Sequence, residues 1–247
     1  MKILVMGAHP ADSFDLAGGT IKLHTMNRDE VYVCSLTDGT RSHSISVVDT
    51  ENICFVKRKE FDSAARILGC NDSMVFGFKD EPFIFSEEVV ERIVDVIRFV
   101  KPNIVITHHP NEYAHWDHAE CGKAVCRALK AAMKLPGERH WVDMVYFFGV
   151  QFRPENARIG VLPQPYDILI DIGEVIQNKI EALACFESQG YNEDMIIKRV
   201  RSFEGETGRA DGLEFSEGFI FYYPLKMNLL INHDIGGGFY GSKKEEH

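Results

Sequence analysis

The feature that most constrains this chain is an alternation along its length: short β-branched and aliphatic runs, each followed by a stretch of helical periodicity. Residues 2–6, 31–36, 74–78 and 104–107 read as strands, the first two closed by Gly7 and by Thr37-Asp38-Gly39. Residues 16–26, residues 51–68 and a stretch capped by Ser86 read as helices. Phe55, Phe61, Ala64, Ala65 and Leu68 line one face of the second, and Gly69 stops it. Val89, Val90, Ile93, Val94 and Ile97 form the buried stripe of the third. A helix starting at Asp117 or His118 runs to about Lys134, followed by strands near 144–150 and 168–172 and helices over 174–187 and 193–204. Residues 201–217, with Gly205, Gly208 and Gly212 among charges, read as a mobile loop. Alternation at this spacing implies βαβ units: an α/β fold with a mostly parallel sheet and helices on both faces. No repeat or long linker interrupts it, so one domain spanning 1–247 is expected.

A chain of this length buries roughly three quarters of the surface its unfolded form exposes, so it needs neither disulfide nor metal merely to fold. Its 27 Lys+Arg against 37 Asp+Glu give a net charge of −10. That sign repels phosphate backbones and anionic bilayers, which excludes nucleic acid and membrane as expected partners. The apolar run before Gly7 is too short for a signal segment, and no stretch approaches the ~18 apolar residues of a membrane span. Six cysteines with no C-x-x-C pair read as reduced thiols. The expectation is a cytoplasmic protein acting on a small-molecule substrate.

In open α/β sheets, ligands bind outside the carboxyl ends of the strands. There the first strand delivers Ala8-His9-Pro10-Ala11-Asp12 and the second delivers Thr37-Asp38-Gly39. The fourth delivers the stretch from His108 to His118, where four of the ten histidines fall within eleven residues. Zinc prefers imidazole and carboxylate donors, and a catalytic zinc keeps three protein ligands and one open position. His9 and Asp12 leave one strand on a single turn, and His118 opens the helix after another, so these three can converge on one Zn2+. His115 and Asp117 remain for proton transfer or for support of the ligands. A lone histidine after a strand is more often structural; the joint arrival of several at converging strand ends is what points to a metal. Asp38, Arg41 and His43 at the same rim are candidate substrate-binding residues.

These residues resemble a known family. The LmbE-like, or PIG-L, deacetylases carry A-H-P-D-D-E after the first strand, G-G in the first helix and H-P-D-H after the fourth strand. The corresponding segments here are Ala8-His9-Pro10-Ala11-Asp12-Ser13, Gly18-Gly19 and His115-Trp116-Asp117-His118. Glu60, Asp80 and Glu217-Gly218-Phe219 also match in order, so the likeness covers most of the chain. It implies a Rossmann-like three-layer sandwich, zinc held by His9, Asp12 and His118, and a homo-oligomer. It further implies that His115 stabilises a developing oxyanion or passes a proton, oriented by Asp117.

One departure bears on the reaction. The first Asp of A-H-P-D-D, the family's general base, is Ala11 here, and Ser13 replaces the usual acidic residue. Losing a positioned base costs about 10²- to 10⁴-fold in rate. The fold-wide resemblance places a zinc hydrolase first, with water at the zinc attacking the acyl or amide group of a small amino-sugar-like substrate. Asp15 and Glu112 are the candidate replacement bases. The alternative is a zinc hydratase or lyase on an unsaturated oxo-dicarboxylic acid. The 4-oxalomesaconate hydratase branch of the superfamily is similar in having Ala before the ligand Asp, A-G-G at the same offset, and a tyrosine-containing loop comparable to Tyr113-Ala114-His115. Adding water to a double bond expels no amine and needs one acid/base group, which His115 supplies. A third alternative is a non-catalytic metal- or ligand-binding member.

Overall fold

The computed structural model of the chain describes residues 1–41, 52–134, 136–149, 165–209 and 211–224. Seven strands form one sheet: β1 (Lys2–Gly7), β2 (Glu30–Thr37), β3 (Asp72–Phe78), β4 (Ile104–Thr107), β5 (Met144–Phe148), β6 (Ile168–Asp171) and β7 (Ser216–Phe221), in the order β3-β2-β1-β4-β5-β7-β6. β1 pairs in parallel with β2 and β4, β2 with β3, and β4 with β5, whereas β7 runs antiparallel between β5 and β6. Among the described residues six α-helices join them: α1 (Asp12–Met26), α2 (Ile53–Leu68), α3 (Glu87–Val100), α4 (Trp116–Lys134), α5 (Ile176–Ala184) and α6 (Glu193–Arg209).

Alternate side chains of a strand point to opposite faces, and in β1 both faces are apolar. Leu4 and Met6 join one core with α3 and α4, while Ile3 and Val5 join the other with α1, α2, α5 and α6. The result is the expected α/β three-layer sandwich. Ser86 caps α3 by accepting a hydrogen bond from the Val89 N–H, as its position before the apolar stripe predicts.

The sheet contains one more strand than the sequence reading, because β7 and the end of α6 replace the loop expected over residues 201–217. Glycine here serves close packing rather than mobility: a Cβ on Gly208 would stand 2.8 Å from the Leu213 carbonyl oxygen. The first helix also begins earlier than residue 16, but with a break. Ala17 leaves helical geometry (φ −146°, ψ 18°), and the Gly19 and Thr20 N–H groups beyond it donate to the Glu217 carboxylate of β7 at 2.9 and 2.8 Å. Gly19 cannot carry a side chain, since a Cβ would meet Ile172 at 2.5 Å. Lys179 of α5, fully buried, donates to the same Glu217 at 2.7 Å and to Glu204 at 2.5 Å. Among the described residues no helix is long and apolar enough to cross a membrane.

Candidate metal centre

Two neighbouring strands deliver the site. β1 ends at Gly7, and Ala8 to Ala11 turn directly into α1, so His9 and Asp12 stand at the carboxyl edge of the sheet. β4 ends at Thr107, and the loop from His108 to His115 leads into α4, whose first turn carries Asp117 and His118. The loop lies flat on α4 because residue 122 is glycine; a Cβ there would collide with the His108 carbonyl oxygen at 2.4 Å.

The three expected ligands meet around one carboxylate oxygen. Asp12 Oδ2 is 3.4 Å from His9 Nδ1 and 3.5 Å from His118 Nε2. A tetrahedral ion with ligand bonds of 2.0–2.1 Å separates its donors by about 3.3–3.4 Å, so these spacings suit a zinc-sized cation. Among the described residues two sets of donors lie close enough to hold an ion, His9 with His115 and His118, and Asp12 with His108 and His118; the three expected ligands are divided between them. Imidazole and carboxylate donors suit zinc and the divalent first-row metals.

Each imidazole has a carboxylate behind it. Asp117, almost fully buried, bonds His9 Nε2 at 3.0 Å and accepts the Glu81 and Phe83 N–H groups at 2.9 and 2.8 Å. Glu112 bonds His118 Nδ1 at 2.8 Å. Such partners fix the ring and leave its other nitrogen free for an ion that the site would hold. Burial disfavours charge on His9 and His118, but Asp12 and these hydrogen bonds outweigh it, raising His9 to about 9 and His118 to about 10. Burial likewise works against ionisation of Glu112 and Asp117, yet the histidine hydrogen bonds hold both low, Glu112 at about 2.

Asp117 therefore supports His9, and its carboxylate does not orient His115 as the resemblance implied. His115 instead accepts the Asp117 backbone N–H at Nδ1 (3.2 Å), which leaves its proton on Nε2, 3.6 Å from Glu81 Oε1. Burial, with His118 and His9 close by, lowers its pKa and keeps it neutral near pH 7. Its ring lies 4.8 Å from His9 and stacks on His118 at 4.7 Å.

The other sequence candidates divide. Asp15 pairs with Arg199 rather than facing the site. Glu112 is tied to His118 and His108, so neither carboxylate is poised as a replacement base. Asp38 spends its carboxylate on its own turn, accepting from the Thr40 N–H and hydroxyl at 3.1 and 2.9 Å. Arg41 is exposed, its backbone N–H on Asp80 and its guanidinium on the Glu81 carbonyl at 3.3 Å. His43 lies outside the described residues. Trp116 is 87% exposed and anchors no core. Sequence reasoning did not single out His108 or Glu81; both enter the site through contacts distant in sequence.

Known proteins place the chain. The family model described as "PIG-L: GlcNAc-PI de-N-acetylase" matches residues 4–129. A probable N-acetyl-alpha-D-glucosaminyl L-malate deacetylase 2 of Bacillus cereus is 32% identical over 192 residues, covering 76% of this chain and 83% of that protein. The 4-oxalmesaconate hydratase of Pseudomonas putida is 28% identical over 199 residues, 75% and 73% of the two chains. Among solved structures, the 4-carboxy-2-hydroxymuconate hydratase from Pseudomonas putida KT2440 superposes with a TM-score of 0.78 at 25% identity, covering 93% of this chain and 99% of that one. The sequence match over half the chain and the shared fold lead to one conclusion: the chain belongs to the PIG-L (LmbE-like) family.

Proposed function

We propose that this protein is a metal-dependent hydratase that adds water across the activated double bond of a small unsaturated oxo-dicarboxylic acid. The observation that carries this reading is Ala11. The residue preceding the ligand carboxylate is 4% exposed and packed into the core with Phe14 and Phe61, so it offers no base for amide hydrolysis. A hydratase from Pseudomonas putida KT2440 among both the sequence and the structure matches favours the same class.

His9, Asp12 and His118 would hold the ion, backed by Asp117 and Glu112. A divalent cation there supplies Lewis acidity, polarising an oxygen and lowering the pKa of a water. The remaining chemistry belongs to the chain. Hydration moves one proton from water to a substrate carbon and expels nothing. Of the carboxylates around the site, Asp12, Asp117 and Glu112 have side chains no more than 14% exposed and are tied to imidazoles, whereas Glu81 is 34% exposed. Glu81 receives the proton and the neutral His115 passes one on through Nε2, which makes a single pair sufficient.

A second reading, deacetylation of an N-acetylated amino sugar, is favoured by the 32% identity to the deacetylase. The test is the ultraviolet absorbance of a conjugated oxo-dicarboxylate mixed with metal-loaded protein. Absorbance should fall, the fall should vanish with chelator, and His118→Ala should abolish it. Unchanged absorbance with intact, metal-loaded protein would end the proposal.

A further inference from the structure

Resting on the metal reading above, the contacts behind the ligands contain a closed ring. Asp12 Oδ2 is 3.0 Å from His108 Nε2, and His108 Nδ1 is 3.3 Å from Glu112 Oε2. Glu112 Oε1 is 2.8 Å from His118 Nδ1, and His118 Nε2 returns to Asp12 Oδ2 at 3.5 Å. His108 is fully buried and held on every side. Its ring stacks on His118 at 4.0 Å with 23° between planes, and it meets Phe148 edge-on at 5.0 Å. Its backbone is pressed against Gly122 of α4.

We propose that His108 and Glu112 are positioning residues that lock Asp12 and His118 in metal-binding geometry before the ion arrives. Asp12, His108 and His118 are also close enough to hold an ion among themselves, and the Co2+ spectrum separates that role from positioning. His108 Nε2 approaches Asp12 at 3.0 Å, a hydrogen-bond distance, whereas His9 and His118 stand off at 3.4 and 3.5 Å, the spacing of donors sharing an ion. Glu112 occupies both of its oxygens, one on each stacked ring. It therefore fixes His118 with its proton on Nδ1 and couples that ring to the carboxylate ligand through His108. Asp117 does the corresponding work for His9, so all three expected ligands are oriented from behind.

Metal-stripped full-length protein, titrated with Zn2+ and Co2+ against a competing chelator, tests the proposal. Outer partners of metal ligands typically carry 10- to 100-fold in affinity. Glu112→Ala and His108→Asn should each weaken binding by about that much, and Glu112→Gln, whose amide has one acceptor oxygen, by about tenfold. The double variant should bind no more than about threefold more weakly than the weaker single variant, because the ring acts as a unit. The visible spectrum of the Co2+ form should keep its band positions, since no ligand is removed. Single-variant affinities within twofold of wild type, losses that multiply in the double variant, or a shifted Co2+ band in His108→Asn would each overturn the proposal. Glu112→Gln keeps side-chain volume on a loop and carries the test should His108→Asn not fold. Failure of wild-type protein to bind either metal would instead refute the metal reading itself.

Discussion

His9 and His118 face a shared carboxylate and hold protons where an ion would sit. Both pKa values lie above the ordinary imidazole range, at about 9 and about 10, so the metal-free protein carries both protons at neutral pH. An ion must displace them, which makes its affinity rise with pH until those values are passed, about tenfold per pH unit for each proton displaced. Calorimetric titration near pH 7 in buffers of different ionisation enthalpy should register about two protons released per ion; release of none would contradict this arrangement. The meeting of His9, Asp12 and His118 at one rim was legible because each ends or begins an element, so the strand and helix pattern alone carries them there. His108 was not, because its contact with Asp12 joins residues 96 apart and nothing local marks it. The part played by Asp117 was misassigned for a related reason. Adjacency in sequence suggested His115, but in the first turn of α4 the Asp117 side chain turns toward His9 and the Glu81–Phe83 backbone.

The elements that hold this rim in place depend on buried charge. α1 breaks at Ala17, and its second half is restarted by the Glu217 carboxylate, which Lys179 neutralises from α5. Lys179→Met would leave Glu204 and Glu217 buried without their cation, a loss of about 3–5 kcal/mol. Urea denaturation should show it; a change below about 1 kcal/mol would mean that the network is not a support of α1. The Gly18-Gly19 pair and Glu217-Gly218 were visible in the sequence as motifs, but their reason is tertiary: α1, α5 and β7 meet there. β7 and the last turns of α6 were hidden by glycines that normally signal a loop. Gly208 sits inside α6 because the Leu213 backbone packs against it, whereas a Cβ on Gly205 would only touch Phe215 at 3.8 Å. The parallel strands were read with boundaries within about two residues, and β1, apolar on both faces, to within one, since burial on both sides leaves little ambiguity.

At the scale of the whole molecule, the net charge of −10 describes surface and not site, since the carboxylates of the centre are each matched to imidazoles or backbone N–H groups. An ion bound there adds stability to the folded chain. At a free metal concentration 100-fold above Kd the gain is about 2.7 kcal/mol, so chelator should lower Tm, and an unchanged Tm would contradict folded-state binding. The family's named members are deacetylases and a hydratase, so water acts at an acyl or at an unsaturated carbon, and the proposed function rests on Ala11 to choose between the two. The most direct measurement is a reaction in ¹⁸O-labelled water, with metal-loaded protein given an unsaturated oxo-dicarboxylate and an N-acetylated amino sugar together, the products read by mass spectrometry. The account predicts one ¹⁸O and a mass gain of one water in the organic acid, with no acetate formed. Labelled acetate from the sugar, with the oxo-dicarboxylate unchanged, would contradict it.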